Sequence, residues 1–238
     1  PTSLTTNSIM HGTKKTLQEW LFCIWWLVSS DKGASAKELQ RILHLSSYQT
    51  AWTWLQKLRM AMARADCKYC QGTAELCTEK IFLGGDRQKD AFVLIVAETL
   101  LPSGIVGRIK MRHIEKLSEE TVNTFLRDHV APGASLIVPD SEPYLAIDKS
   151  RYLTVVRNRD CSTFHIEEIL QCFALWLSRI HRGGVMQKHL QLYLDEFCFR
   201  ANAAMLPNAE AVFHLLLTSV LQEKPRSYKI LTSSMAKE

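Results

Sequence analysis

The chain has 238 residues, of which 47% are hydrophobic and 22% charged, and this balance is typical of a globular protein rather than a disordered one. Its apolar runs are too short to cross a bilayer and no signal-peptide pattern is visible, so the sequence predicts no membrane span and favours the cytoplasm. The seven cysteines are odd in number and scattered, which indicates reduced thiols rather than a disulfide framework.

The net positive charge of the sequence comes from its N-terminal quarter. Residues 1–65 carry eight Lys or Arg and three Asp or Glu, which accounts for the whole formal net charge of +5. Residues 66–238 carry twenty-one of each sign and are neutral as a group. An uneven distribution of this kind is typical of a surface that docks a polyanion, although a modest excess is as common on an ordinary solvated face.

Helix signals dominate the first 65 residues. Thr16 is followed by Glu19, and Ser35 by Glu38, at the spacing of a capping box that opens a helix. Apolar residues recur at helical spacing after each box and again from Tyr48, which predicts helices over about residues 17–30, 36–43 and 48–62. The last two are joined by a four-residue turn. This layout predicts a helical helix-turn-helix DNA-binding region over residues 1–66.

After residue 73 the hydrophobic pattern changes to that of strands. The sequence predicts three successive strands, a helix, two shorter strands and three trailing helices, at about residues 74–83, 91–100, 104–114, 118–130, 134–140, 151–156, 164–181, 187–203 and 208–223. This order predicts an α/β fold in which residues 74–238 form a ribonuclease H-like mixed-sheet core with C-terminal helices.

Three stretches of the chain together carry a resemblance to a known family: residues 3–17 (SLTTNSIMHGTKKTL), residues 47–62 (beginning SYQTAW) and residues 188–202 (KHLQLYLDEFCFRAN). With Gly84-Gly85 and residues 131–133 in the expected order, they resemble the DDE transposases of a group of bacterial insertion sequences related to the eukaryotic Merlin transposons. The resemblance covers nearly the whole chain, and the third stretch is its most specific part.

The resemblance implies a catalytic centre of three carboxylates that converge on two divalent ions, Mg²⁺ or Mn²⁺. Counting back from Gly84-Gly85 puts the first carboxylate at Glu79. The second is Asp140, which follows a short strand, and an ungapped count back from residue 188 puts the third at Glu168. These three residues are the catalytic and metal-binding positions that the family alignment implies.

The sequence departs from the family pattern at this centre. The first family Asp is Glu79 here, and the acid that follows it is Lys80, whose ammonium would compete with a metal for the carboxylate. An added methylene moves a carboxylate by more than 1 Å, enough to lower a rate by about 100-fold. The family Lys after the third acid falls on Leu175 or Trp176, and Glu168 is equally explained as a solvated helix N-terminal residue. We therefore expect strand cleavage, and with it any need for a metal cofactor, to have been lost.

The resemblance and the basic N-terminal region together predict binding of double-stranded DNA. In a helix-turn-helix, the start of the second helix enters the major groove, and here that start is Tyr48, Gln49 and Thr50. Gln49 is suited to an adenine edge through its amide. The predicted phosphate contacts are Lys14, Lys15, Lys57 and Arg59.

Three functions remain open at this point. The first is a transposase-derived DNA-binding protein that is defective in cleavage. The second is an active transposase with a Glu-Asp-Glu two-metal site, and the third is an assembly module that acts as a homodimer or within a larger complex. Cys67 and Cys70 form a lone pair without the second pair of a zinc ribbon, so the sequence favours two ordinary thiols there.

Overall fold

A computed structural model describes six stretches of the chain: residues 5–13, 15–30, 33–83, 90–157, 164–181 and 184–232. Five strands form one sheet: β1 (Thr73–Phe82), β2 (Asp90–Leu100), β3 (Ile105–Ile114), β4 (Ser135–Val138) and β5 (Leu153–Val156). Within the described residues, eight α-helices accompany it: α1 (Leu17–Ser29), α2 (Ala36–Ile42), α3 (Tyr48–Ala65), α4 (Glu119–His129), α5 (Phe164–Ile180), α6 (Leu190–Ala203), α7 (Ala209–Gln222) and α8 (Tyr228–Thr232). No helix among the described residues has the length and apolar character needed to cross a membrane.

The sheet has the strand order β3-β2-β1-β4-β5. The first three strands form an antiparallel meander, and β4 and β5 then run parallel to β1 on its other side. A meander followed by parallel strands that arrive through a helical connection is the topology of a ribonuclease H-like core, and the predicted fold class is confirmed. The predicted strands and long helices also match within a few residues, whereas the short helix α8 was not predicted.

The two faces of the sheet are covered by different helices. One face buries Leu76 and Val96 against Val122 and Phe125 of α4. On the other face Val93, Ile95 and their neighbours pack against the apolar sides of α5 and α6. Because residues alternate between the faces along a strand, β1 sends Glu75, Cys77 and Glu79 to the side of α5 and α6.

The N-terminal helices share a core with the end of the chain. The capping box at Thr16 and Glu19 is confirmed and starts α1. Trp20 of α1 and Trp54 of α3 stack with their ring centroids 3.8 Å apart. Residues from α6 and α7, including Phe199 and Leu216, lie in the same buried cluster. The predicted boundary after residue 66 therefore separates helices from sheet along the sequence. In the folded chain, however, the N-terminal helices pack against helices that follow the sheet.

Candidate catalytic centre and nucleic-acid interface

The predicted first carboxylate lies on a strand, and the second lies just after the neighbouring strand. Glu79 belongs to β1, and Asp140 follows the last residue of β4 by two positions. Glu75 pairs with Ile137 in the parallel register of β1 and β4, so counting on by three residues brings Asp140 to the level of Thr78. Tyr144 connects the same two segments, because its hydroxyl donates a hydrogen bond of 2.6 Å to Thr78 Oγ1.

Glu79 is half-buried, and one of its carboxylate oxygens accepts a hydrogen bond from a thiol. Cys77 Sγ lies 3.3 Å from Glu79 Oε1 and donates to it. Burial, and then the adjacent Glu79 carboxylate, raise the pKa of Cys77 to about 12, so this thiol stays protonated and remains a donor. Lys80 lies on the opposite face of the strand and pairs with Asp90 at 2.5 Å, so the expected competition between its ammonium and a metal at Glu79 does not arise.

The predicted third carboxylate lies elsewhere. The apolar stripe of α5 contains Ile166, Ile169 and Phe173, all buried against the sheet. Glu168 is two residues from Ile166, about 200° around the helix axis, and its side chain is exposed to solvent. The helix thus directs Glu168 away from the face that covers β1.

The residues present do not fit a two-metal centre. A two-metal site requires several oxygen ligands within reach of both ions. Among the described residues, no group of three or more His, Cys, Asp or Glu side chains is placed to hold a metal ion. Cys70, one of the two candidate zinc thiols, is buried and its Sγ lies 3.5 Å from the carbonyl of Arg108. Gly84 and Gly85, which anchor the count to Glu79, fall outside the described residues.

The start of α3 is open to solvent. Ser47 caps the helix by accepting from the backbone N–H of Thr50, so the first turn is well formed. Tyr48 is 51% exposed and Gln49 is exposed, whereas Thr50 is half-buried beside Ser47. Two of the three residues predicted to contact base edges therefore have free side chains at the helix start.

The predicted phosphate contacts are corrected by the packing. Arg59 is 2% exposed and pairs with Glu196 at 2.6 Å, so its guanidinium has no surface to offer a phosphate. Lys57 is half-buried, and its ammonium donates to the carbonyl of Ile9 at 2.9 Å; burial lowers its pKa. Lys15 lies at the surface and pairs with Glu19 at 2.9 Å. Lys14 lies outside the described residues.

The sequence reading missed the role of the polar residues in the third motif. Asn202 of α6 accepts from the N–H of Ile109 at 2.8 Å and donates to the carbonyl of the same residue at 2.9 Å. Gln191 makes the same pair of bonds further along β3, from the N–H of His113 and to the carbonyl of Met111. The signal was present in the sequence: Gln191, Asp195 and Asn202 share one face of the predicted helix.

The C-terminal end of α3 is also fixed to β3. Asp66, which caps α3, accepts from Arg108 at 3.0 Å and pairs with Lys110 at 2.8 Å, both on β3. Asp66 Oδ2, the oxygen that pairs with Lys110, also accepts from the amide of Asn202 at 2.9 Å. Residues 188–202, the third stretch of the resemblance, therefore help to orient the α2–α3 pair relative to the sheet.

The comparison with curated proteins gives no match to this chain. A family model described as an ISXO2-like transposase domain matches residues 64–202. The matched segment runs from the end of α3 through the sheet to the end of α6 and takes in Glu79, Asp140, Glu168 and the polar residues of α6. Because the match covers more than half of the sequence, the chain belongs to the ISXO2-like transposase family.

Proposed function

We propose that this protein is a transposase-derived protein that binds double-stranded DNA in the cytoplasm and is defective in strand cleavage. The observation that carries the DNA-binding part is the open start of α3, where Tyr48 and Gln49 are exposed on the second helix of the predicted helix-turn-helix. The basic excess of residues 1–65 supports it. The corrected phosphate contacts are the surface cations Lys15 and Arg41, together with Lys14.

The loss of cleavage is inferred from the donor set. Glu79 and Asp140 lie at nearly the same level of the neighbouring segments that contain β1 and β4. Glu168, however, is on the solvent face of α5, and Glu79 accepts a hydrogen bond from a protonated thiol. Metal sites depend on the full ligand set and on the groups that orient it.

The test of DNA binding is its salt dependence. If three phosphates are contacted, log K for duplex DNA falls against log salt with a slope of about −2.7. Replacing Lys15 and Arg41 by Ala flattens the slope by about 1.8, because each lost phosphate contact removes about 0.9. Fluorescence anisotropy with a labelled duplex at four salt concentrations measures both slopes.

The matched control removes two positive charges from connections outside the N-terminal helices. Lys116 and Lys149 are exposed in the connections before α4 and before β5. The Lys116→Ala/Lys149→Ala protein has the same net charge as the test variant and keeps the original slope. Equal flattening by both double substitutions contradicts a docking surface on the N-terminal helices, and no binding at low salt contradicts DNA binding altogether.

The test of cleavage uses terminal-repeat DNA with Mg²⁺ or Mn²⁺. We expect no nicked product from the full chain under conditions in which a nicking enzyme cuts the same DNA. Nicking that disappears in the Asp140→Ala protein would establish the active transposase with a Glu-Asp-Glu site in place of the defective one.

A role in protein assembly is the second candidate, and one observation favours it. Phe22 and Trp25 of α1 are 47% and 45% exposed, and apolar side chains of this size at adjacent turns are typical of protein contacts. Sedimentation at several protein concentrations, compared between the original chain and Trp25→Ser, tests it. A homodimer weakened by that substitution would support the assembly role, and a monomer at all concentrations would remove it.

A further inference from the structure

A cavity of about 640 Å³ lies where the α2–α3 pair meets the sheet part of the molecule. Its walls come from the start of α2, the first turns of α3, the end of α5 and the start of α6. This volume is within the range of pockets that hold small organic ligands. Among the described residues, neither the carboxylates Glu79 and Asp140 nor the predicted phosphate contacts Lys15 and Lys57 line it.

The charged residues that line the cavity are all positive. They are Lys37, Arg59 and Arg179, and no Asp or Glu from the described part of the chain joins them. Arg59 is neutralised by Glu196, whereas Lys37 and Arg179 are exposed and have no ion pair with any residue that the structure describes. The rim of the cavity is therefore suited to an anionic group.

Aromatic rings form much of the remaining wall. Trp52 is half-buried, with His189 against it edge to face at 5.3 Å. Tyr48 is 51% exposed, and no other ring in the described stretches packs on it. A free aromatic face beside cations is the arrangement that receives a nucleobase and its phosphate in proteins that bind unpaired nucleotides.

A buried polar atom in the same wall also lacks a partner. His189 is 5% exposed, and its Nδ1 makes no hydrogen bond within the described residues. Burial, and then Lys188 and Arg59, lower its pKa, so the ring is neutral near neutral pH and offers one donor and one acceptor nitrogen. A neutral imidazole with one donor and one acceptor nitrogen is suited to hydrogen bonds with the polar edge of a base.

We propose that this cavity is a nucleotide-binding site, in which a base stacks on Tyr48 near Trp52 and His189 while Lys37 and Arg179 contact its phosphate. The nucleotide is either an unpaired nucleotide of bound DNA or a free mononucleotide. The first source rests on the DNA binding proposed above; the second does not. The site lies beside the exposed start of α3, so a nucleotide that leaves a duplex bound at α3 has a short path to it.

The experiment places 2-aminopurine as a single bulged nucleotide in a duplex and compares it with the fully paired duplex of the same sequence. We expect the full chain to bind the bulged DNA about tenfold more tightly, because one base–aromatic stack is gained. The fluorescence of the bulged base falls on binding. Tyr48→Ala removes the preference and the quenching, and Tyr48→Phe, which keeps the ring, retains both.

A control variant and a second test variant complete the design. Tyr69 is 47% exposed in the loop before β1 and does not line the cavity, so Tyr69→Ala keeps the preference and the quenching. Arg179→Ala lowers affinity for the bulged duplex more than for the paired duplex, because Arg179 lines the cavity and lies outside the α2–α3 pair. Circular dichroism of each variant checks that the exposed positions are replaced without unfolding.

Free 2-aminopurine deoxyribonucleoside monophosphate distinguishes the two sources. Quenching of the free nucleotide by the original chain that is lost in Tyr48→Ala supports the site even where no DNA is bound, and then only the DNA-binding proposal fails. Salt-dependent duplex binding with equal affinity for bulged and paired DNA, and no effect on the free nucleotide, overturns the site and leaves DNA binding intact. An equal response of Tyr48→Ala and the original chain to both probes also overturns it.

Discussion

The guanidinium of Arg59 lies inside the molecule, between two helices distant in sequence. It donates to Glu196 at 2.6 Å and lies 4.3 Å from the ring centroid of Tyr193. Burial alone raises the pKa of Glu196, but Arg59 and Arg200 reverse this, so the pKa is held below its ordinary value and the carboxylate stays charged. A buried pair of this kind adds little net stability, but breaking it leaves an uncompensated charge in the core.

Replacing Arg59 by Ala lowers the free energy of unfolding by about 3–5 kcal/mol, because Glu196 then remains buried without its main partner. Arg64 on the same helix is the matched control. Its guanidinium is 49% exposed and 3.8 Å from Glu223, so Arg64→Ala changes stability by less than about 1 kcal/mol. Urea unfolding measures both. The Arg59→Met/Glu196→Leu protein recovers most of the loss, and equal effects of the two Arg substitutions would contradict a buried pair.

At the scale of the element, α6 completes the sheet. β3 is an edge strand, and an edge strand presents backbone N–H and C=O groups without partners in the sheet. Two amide side chains of α6, Asn202 and Gln191, take up these groups at Ile109, Met111 and His113. The edge is thereby closed to pairing with another chain along this length.

Replacing Asn202 by Ala removes both bonds to Ile109 and its bond to Asp66, with an expected loss of about 2–4 kcal/mol. Native-state hydrogen exchange gives a more specific readout than stability does. Exchange of the Ile109 amide accelerates by more than the global loss accounts for, whereas the His113 amide, which Gln191 holds, follows the global change only. Equal acceleration at the two amides would show that Asn202 acts only through overall stability.

At the scale of the whole molecule, the first helices and the last ones form a single core. Leu216 and Val220 of α7 lie in the same buried cluster as Trp20 and Leu58. Residues 1–66 on their own lack the α6 and α7 side chains that cover this cluster. We therefore expect the N-terminal helices and the sheet to unfold together, although the sequence changes character between them.

Leu216→Ala is the corresponding test, because it removes a fully buried side chain of α7 from the shared core. The expected loss is about 2–5 kcal/mol. The near-ultraviolet signal of the stacked Trp20 and Trp54 should disappear at the same urea concentration as the far-ultraviolet signal of the helices and sheet. Leu215→Ala, at a neighbour that is 37% exposed, leaves both midpoints nearly unchanged. A Trp signal that outlasts the sheet would mean that the N-terminal helices are an independent domain.

The sequence by itself determined the elements and their order. Local signals were sufficient for α1, whose capping box at Thr16 and Glu19 is present, and for the three strands of the meander, whose apolar runs are separated by turn residues. The order of strands and helices then left the ribonuclease H-like topology as the matching arrangement. Glu79 and Asp140 could be assigned to neighbouring strands for the same reason.

Only the tertiary structure decided which charged residues are free to act. Lys57 and Arg59 belong to the same basic region as Lys15, and nothing in their local sequence shows that the first contacts Ile9 and the second Glu196. Those partners are 48 and 137 residues away, so the burial of each cation depends on packing that local pattern does not encode. The cavity beside Tyr48 arises in the same way, because its walls come from four helices that meet only in the folded chain.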